Sequence, residues 1–134
     1  MMKALSAPGF QTLAHNALRI AAGAAFFTHG GQKLFAWFGA EQSVDLMSAM
    51  GVAGVLETFG GLAMILGLFA QPVAFLLSGE MAVAYFWRHV GGSGELFWWA
   101  NRGELPLLYC FIWLFFAAKG AGAFSVDAKL KKAE

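Results

Sequence analysis

The chain has 134 residues, the length of a single domain, and 13% of them are charged, about half the share of a typical soluble protein. Hydrophobic residues make up 59%, with 14 Phe and 5 Trp. Such a composition has too few polar groups to cover a surface that faces water. We therefore expect the chain to lie in a lipid bilayer.

The charge balance and the cysteine count exclude several functional classes. The net charge is +1, so the chain has no basic excess with which to neutralise the phosphates of a nucleic acid. The single cysteine, Cys110, cannot form an internal disulfide, and no Cys/His set has the spacing of a zinc site. We expect no nucleic-acid partner, no disulfide scaffold and no bound metal.

Four stretches are apolar enough to cross the bilayer, which takes about 20 residues of helix. They cover about residues 14–38, 51–69, 72–90 and 105–122. The second and third stretches are separated at residues 70–72, and Pro72 is typical of the first turn of a new helix. The sequence predicts an all-α fold, with residues 1–134 forming a single transmembrane four-helix bundle.

Positive charges outside these stretches are unevenly distributed. The long loops hold Arg102, with Arg88 at the end of the third helix. The termini and the flank of the fourth helix hold Lys3, Lys119, Lys129, Lys131 and Lys132. Because Lys and Arg favour the cytoplasmic side of a membrane protein, we expect both termini to be cytoplasmic.

Ionisable residues inside the predicted spans are the most informative feature. Each charge near the centre of a lone helix costs about 2.5–3.5 kcal/mol, so such residues should face one another or a wet cavity. They are Arg19, His29, Lys33, Glu57 and Glu80. The two positive and two negative formal charges allow full pairing, which favours an internal polar network.

Depth along the predicted helices indicates which of these groups meet. Lys33 and Glu57 lie at a similar depth, and His29 can lie between them. Three titratable groups at one depth are typical of a proton or ligand site. Glu80 lies near the midplane with Arg19 on its cytoplasmic side, and we expect this second pair to form. Either pair can instead be purely structural and hold the helices in register.

Residues nearer the outer rim have less specific interpretations. Arg88 and His89 are expected to be interfacial anchors, and Cys110 a packing residue. Several aromatic residues could line a pocket for a flat ring such as a quinone: Phe26, Phe27, Phe35, Trp37, Phe38, Phe86, Trp87, Phe97, Trp98 and Trp99.

Several motifs together resemble the DoxX family of small four-helix membrane proteins, over about residues 15–127. The most specific motif is His29-Gly30-Gly31-Gln32-Lys33-Leu34-Phe35. The others are Leu18-Arg19 with Gly23, Glu57 with Gly60-Gly61-Leu62 and Leu66-Gly67-Leu68, Glu80, Gly103-Glu104, and Gly120-Ala121-Gly122 before Ser125-Val126-Asp127. The short first loop departs from the family pattern, because it lacks the proline often found before the second helix.

This resemblance implies a four-helix bundle in the bacterial or archaeal cytoplasmic (inner) membrane. Some members of the family resemble, or are, small membrane subunits of quinone-linked oxidoreductases, including thiosulfate:quinone oxidoreductase, and others are tied to redox stress. The polar motif residues carried over by position are Arg19, His29, Lys33, Glu57, Glu80 and Glu104.

The first functional hypothesis is a membrane redox component that binds a quinone. His29 and Lys33 would donate hydrogen bonds to a ring carbonyl and Glu57 would exchange protons, which makes these three the predicted catalytic residues. Arg19, Glu80 and Glu104 are the predicted ligand-binding residues. The sequence has no flavin, nucleotide or iron–sulfur motif, so a larger redox subunit is an expected partner.

Two further functions fit the same residues. One is a non-enzymatic scaffold or accessory subunit whose buried ion pairs fix its fold. The other is a small-molecule or proton pathway in which Glu80 at the midplane takes part. Since four helices enclose little volume, a pathway implies a homo-oligomer.

Overall fold

The computed structural model describes residues 1–133, which form helices and loops without a strand. The helices are α1 (Met2–Leu5), α2 (Pro8–Phe35), α3 (Ala49–Leu66), α4 (Ala70–Val83), α5 (Gly91–Ser93), α6 (Trp98–Asn101), α7 (Glu104–Lys119) and α8 (Val126–Ala133). A π-helical segment, Ala84–Val90, joins α4 to α5. The all-α prediction is confirmed.

The long helices cover the four predicted stretches, but they begin and end at residues other than those predicted. α2 begins at Pro8, and it ends at Phe35 because Ala36 adopts a left-handed φ of 53°. α3 ends at Leu66, where Gly67 adopts a φ of 66°. Pro72 lies in the first turn of α4, where its missing N–H costs little.

Among the described helices, α3 is the one that is long and apolar enough to cross a membrane. The other long helices differ from the sequence prediction for local reasons. α7 has 16 residues, and the regular α-helical part of α4 has 14 before the π-helical segment begins. α2 has 28 residues but carries Arg19, His29 and Lys33 along its length.

The bundle consists of two antiparallel helix pairs. α2 packs along α3, and α4 packs along α7, while the short turn between α3 and α4 connects the pairs. Within the second pair, the Ser78 hydroxyl donates to the carbonyl oxygen of Cys110 over 2.8 Å. Near the other end of the same pair, the Gln71 side chain donates to the carbonyl oxygen of Ala117 over 3.1 Å.

Glycines bring α2 and α3 into direct backbone contact. A Cβ on Gly61 would lie 2.5 Å from the backbone nitrogen of Phe27, and one on Gly23 would lie 2.9 Å from the carbonyl oxygen of Gly61. A side chain at either position would therefore push the helices apart. Close packing through small residues is a common way for helices to associate in lipid.

An aromatic cluster fills the interior between the two pairs. Phe26 of α2 packs edge-on against Trp113 of α7, with ring centroids 4.9 Å apart, and against Tyr109 at 4.7 Å. Trp113 and Phe116 are fully buried. These contacts hold α2 against α7 near the middle of the bundle.

The segment after α7 fastens the end of the bundle at the α3–α4 turn. The Asp127 carboxylate accepts hydrogen bonds from the backbone nitrogens of Phe69 and Ala70 over 2.8 and 2.9 Å. The backbone nitrogen of Asp127 donates to the carbonyl oxygen of Gly67 over 3.0 Å. The carboxylate therefore caps α4 from a distant part of the sequence.

Candidate functional site

A cavity of about 800 Å³ lies between the two helix pairs, away from the α3–α4 turn. Its walls are mostly apolar and come from α2, α3, α4, the π-helical segment and α7. Polar groups reach it from several of these walls: His29, Lys33, Glu57, Glu80, Arg88, His89 and Tyr109. A mostly apolar cavity with a few convergent polar groups is typical of a small-molecule site.

Lys33 and Glu57 form an ion pair at the wall that α2 and α3 share. The Lys33 ammonium donates to the Glu57 carboxylate over 2.5 Å. The side chains are 19% and 7% exposed, so the carboxylate is nearly removed from solvent while the ammonium keeps some access to the cavity. The pairing predicted from sequence depth is present.

The glycine-rich packing of α2 and α3 explains why these two side chains meet. A Cβ on Gly54 would lie 3.1 Å from the Cβ of Lys33, so the backbones approach closely one turn from Glu57. In an antiparallel pair this contact sets the register of the two helices. Lys33 and Glu57 then face each other at one level.

His29 and Glu80 face the same cavity from different helices. His29 lies one turn before Lys33 on α2, and Glu80 lies on α4. Both carboxyl oxygens of Glu80 are buried, and neither has a hydrogen-bond partner among the described residues. A buried polar group without a partner is uncommon in a folded protein, which makes Glu80 a candidate contact for a bound molecule.

The predicted pair of Arg19 and Glu80 is wrong. The Arg19 side chain is fully buried, and its guanidinium donates to the carbonyl oxygens of Met64, Ile65 and Phe124 over 2.5, 2.8 and 2.6 Å. The first two carbonyls belong to the last turn of α3, where no intrahelical donor is available. Arg19 therefore holds the end of the bundle together and does not line the cavity, although the sequence predicts it as a ligand-binding residue.

Glu104 also lies outside the cavity. It is the first residue of α7 and its side chain is exposed. A negative charge in the first turn of a helix interacts favourably with the helix dipole. The structure therefore brings together four of the six predicted site residues: His29, Lys33, Glu57 and Glu80.

The π-helical segment forms one edge of the cavity, its rim, which the sequence did not predict. Trp87, Arg88 and His89 line the cavity from this segment, whereas Arg88 and His89 were expected only as interfacial anchors. The His89 ring is fixed by a 3.0 Å hydrogen bond between Nδ1 and the carbonyl oxygen of Asn101. Single π-helical turns within α-helices are frequent at functional sites.

Few of the predicted aromatic residues line the cavity. Of the ten aromatic candidates, Phe26 and Trp87 line the cavity, and Tyr109 joins them although the sequence did not single it out. Nothing in the sequence separates Tyr109 from its apolar neighbours on α7. Within residues 1–133, no group of three or more His, Cys, Asp and Glu side chains is placed to hold a metal ion.

Comparisons with known proteins bear on the region that builds this cavity. A family model described as DoxX matches residues 14–90, more than half of the chain. An uncharacterized protein of Haemophilus influenzae is 54% identical to the chain over 82 residues. That match covers 60% of this chain and 61% of the relative, so the chain spans less than two thirds of the relative's length. No solved structure matches the chain.

Proposed function

The chain belongs to the DoxX family, and from that premise we propose that it is a multi-pass protein of the bacterial or archaeal cytoplasmic membrane whose cavity binds a quinone or a similar flat ring. In this proposal it serves as a small membrane subunit of a quinone-linked oxidoreductase or of a redox-stress system.

The outer surface supports the membrane placement. Large apolar side chains are exposed on the outside of the long helices, among them Phe59 (63%) and Phe111 (60%). A soluble monomer rarely exposes apolar surface on this scale. With α2, α3, α4 with its π-helical continuation, and α7 crossing the bilayer, these side chains face lipid and both termini face the cytoplasm.

The cavity is the observation that carries the ligand proposal. Its volume of about 800 Å³ falls within the range of small-molecule sites. Its apolar walls suit a hydrophobic ring, and its polar groups converge from α2, α3, α4 with its π-helical continuation, and α7. The Phe26, Trp87 and Tyr109 rings offer flat surfaces.

The hydrogen-bonding capacity of the wall fits a molecule with two oxygens. The Lys33 ammonium has three N–H donors, and Glu57 occupies one of them. The remaining donors and the His29 ring can hold a ring carbonyl. Glu80 on α4 has no hydrogen-bond partner among residues 1–133, so it can hold the second oxygen or its proton. A quinone supplies two-electron, two-proton chemistry when bound, and these residues orient it and handle its protons.

In this proposal a second protein supplies or accepts the electrons of the bound quinone. The sequence encodes no redox centre of its own, so a bound quinone exchanges electrons with a larger redox subunit. The exposed apolar and loop surfaces around Trp98 and Trp99, next to the rim formed by the π-helical segment, are available for such contacts.

The test measures the amount of quinone in lipid extracts of the purified protein. Wild type is compared with Lys33→Met, which removes a donor, and with Gly79→Phe, which fills the cavity. Gly79 lines the cavity on α4, and a Cβ there meets no atom within 4 Å, so the phenyl ring enters without displacing backbone. Matched controls are Lys119→Met and Gly9→Phe, both outside the cavity, and Gly9 likewise has nothing within 4 Å of its Cβ.

We expect quinone in wild type and in both controls, and its loss in both cavity variants while they remain folded. Absence of quinone from every sample contradicts the proposal. The non-enzymatic scaffold is then favoured, because the Lys33–Glu57 pair already satisfies both charges without a ligand.

A further inference from the structure

The last helix, α8, has almost no contact with the bundle beyond its first turn. Ser125 caps it, with the Ser125 hydroxyl accepting from the backbone nitrogen of Ala128 over 3.1 Å, and Asp127 attaches it to the α3–α4 turn. From Lys129 to Ala133 every side chain is exposed. An isolated helix this short is marginal in water, so its exposed part requires a surface that stabilises it.

The sequence of α8 defines the chemistry of that surface. At 100° per residue, Val126, Leu130 and Ala133 fall within an arc of about 60°. Lys129, Lys131 and Lys132 occupy the rest of the circumference with Asp127 and Ala128. Leu130 is 51% exposed. A short helix with an apolar stripe flanked by lysines is typical of helices that lie in a membrane interface.

The distribution of charge over the whole molecule also favours an anionic surface at α8. The end at the α3–α4 turn carries Lys119 and the three lysines of α8, and the carboxylate of Asp127 there is already hydrogen-bonded. The opposite end carries Glu41, Asp45, Glu95 and Glu104 against Arg88 and Arg102. The field of the protein therefore attracts anionic groups to the end that bears α8.

We propose that α8 is an interfacial helix that binds the anionic phospholipid headgroups of the leaflet at this end, with Leu130 inserted between them and the lysines on their phosphates. The Asp127 and Ser125 caps fix where α8 starts, so the headgroup contact sets the depth of the bundle in the bilayer. This inference rests on the membrane placement proposed above but not on the quinone. An acidic protein surface is the competing occupant, but it leaves the exposed apolar stripe without a partner.

The experiment measures how accessible α8 is to water in vesicles of different charge. Cys110 is replaced by Ala, Leu130→Cys is labelled with bimane, and the full chain is reconstituted into phosphatidylcholine vesicles with or without phosphatidylglycerol. Acrylamide, a neutral quencher, reports exposure of the probe. The same label at Phe59→Cys, on the outer face of α3, reports whether the bundle itself is in the bilayer.

We expect phosphatidylglycerol to lower the quenching constant at position 130 by about threefold or more, since each lysine near an anionic surface favours docking by about fivefold. Adding Lys129→Gln, Lys131→Gln and Lys132→Gln, or raising the salt concentration, should abolish that difference. Arg102→Gln, the charge control at the opposite end, should leave it unchanged.

Equal quenching at position 130 in both lipids, with position 59 shielded, overturns the inference but leaves the membrane placement intact. In that case an acidic protein surface becomes the expected occupant of α8. Strong quenching at position 59 in both lipids overturns the membrane placement itself, and the inference with it.

Discussion

The Lys33–Glu57 pair allows the structural and functional roles of buried charge to be separated by a double-mutant cycle. Lys33→Met leaves a carboxylate that is 7% exposed without its cation. Breaking a buried ion pair in this way costs about 3–5 kcal/mol in the free energy of unfolding. Glu57→Gln costs less, about 1–2 kcal/mol, because the lysine side chain is 19% exposed and its ammonium can reach water through the cavity.

The double variant leaves neither charge unpaired, so it should be more stable than Lys33→Met alone. Replacing both partners of a buried pair is often nearly neutral, and we expect the double variant to lose about 1–2 kcal/mol. The two single losses sum to about 4–7 kcal/mol, so they overstate the loss of the double variant by about 3–5 kcal/mol. That coupling lies at or above the upper end of the range of about 0.5–3 kcal/mol for residues in contact.

The free energy of unfolding can be measured by denaturant titration in detergent micelles, followed by tryptophan fluorescence. The control cycle uses Lys119→Met and Glu104→Gln, two exposed residues in different parts of α7, whose effects should add within about 0.5 kcal/mol. Additive losses for Lys33→Met and Glu57→Gln would refute the argument that the pair is energetically coupled. A stable double variant that no longer retains quinone would assign the pair to ligand binding as well as to the fold.

The remaining predictions concern the packing that positions the cavity. Arg19→Met removes three hydrogen bonds from a buried charged donor to main-chain carbonyls and should lower the free energy of unfolding by about 3–5 kcal/mol. A loss below about 1 kcal/mol in the same titration contradicts the role of Arg19 in holding the end of the bundle together. Asp127→Ala removes the cap of α4 and should cost about 1 kcal/mol, whereas the exposed Lys129→Ala, measured beside it, should cost almost nothing. Gly61→Leu should destabilise the chain severely, because even a Cβ at this position would lie 2.5 Å from the backbone nitrogen of Phe27. Its control, Gly92→Leu, places the same side chain on open surface and should have little effect. Similar thermal unfolding temperatures for the two variants would show that the glycine contact is not required.

Local chemistry made part of the fold and site predictable from the sequence. The break at residues 70–72 predicted the reversal between α3 and α4, because proline suits a first helical turn. In the structure Gly67 ends α3 with a left-handed φ, a conformation that glycine adopts without strain. The level of Lys33 and Glu57 followed from counting residues along two antiparallel helices. A rise of 1.5 Å per residue is enough to place two side chains at one depth when both helices cross the same thickness of bilayer in opposite directions.

Other features depended on distant parts of the chain. Arg19 was expected at Glu80 because charges pair, but its long side chain reaches the free carbonyls at the end of α3 and the carbonyl of Phe124, 105 residues away. Glu104 belongs to a family motif, as the site residues do, yet it lies on the surface. No local pattern encodes which acceptors a long side chain reaches, because that depends on how the segments pack.

The sequence by itself determined an all-helical, strongly apolar chain and the pairing of Lys33 with Glu57, because periodicity, composition and helix rise are local quantities. Only the tertiary structure decided that a cavity exists and that, within the part of the chain that the structure describes, Glu80 faces it without a hydrogen-bond partner. The cavity arises because glycines let α2 and α3 touch along their length, while α2 meets α7 mainly through a few aromatic rings. The space between two tightly packed helix pairs depends on how the pairs are arranged relative to each other. The sequence of a single helix does not contain that information.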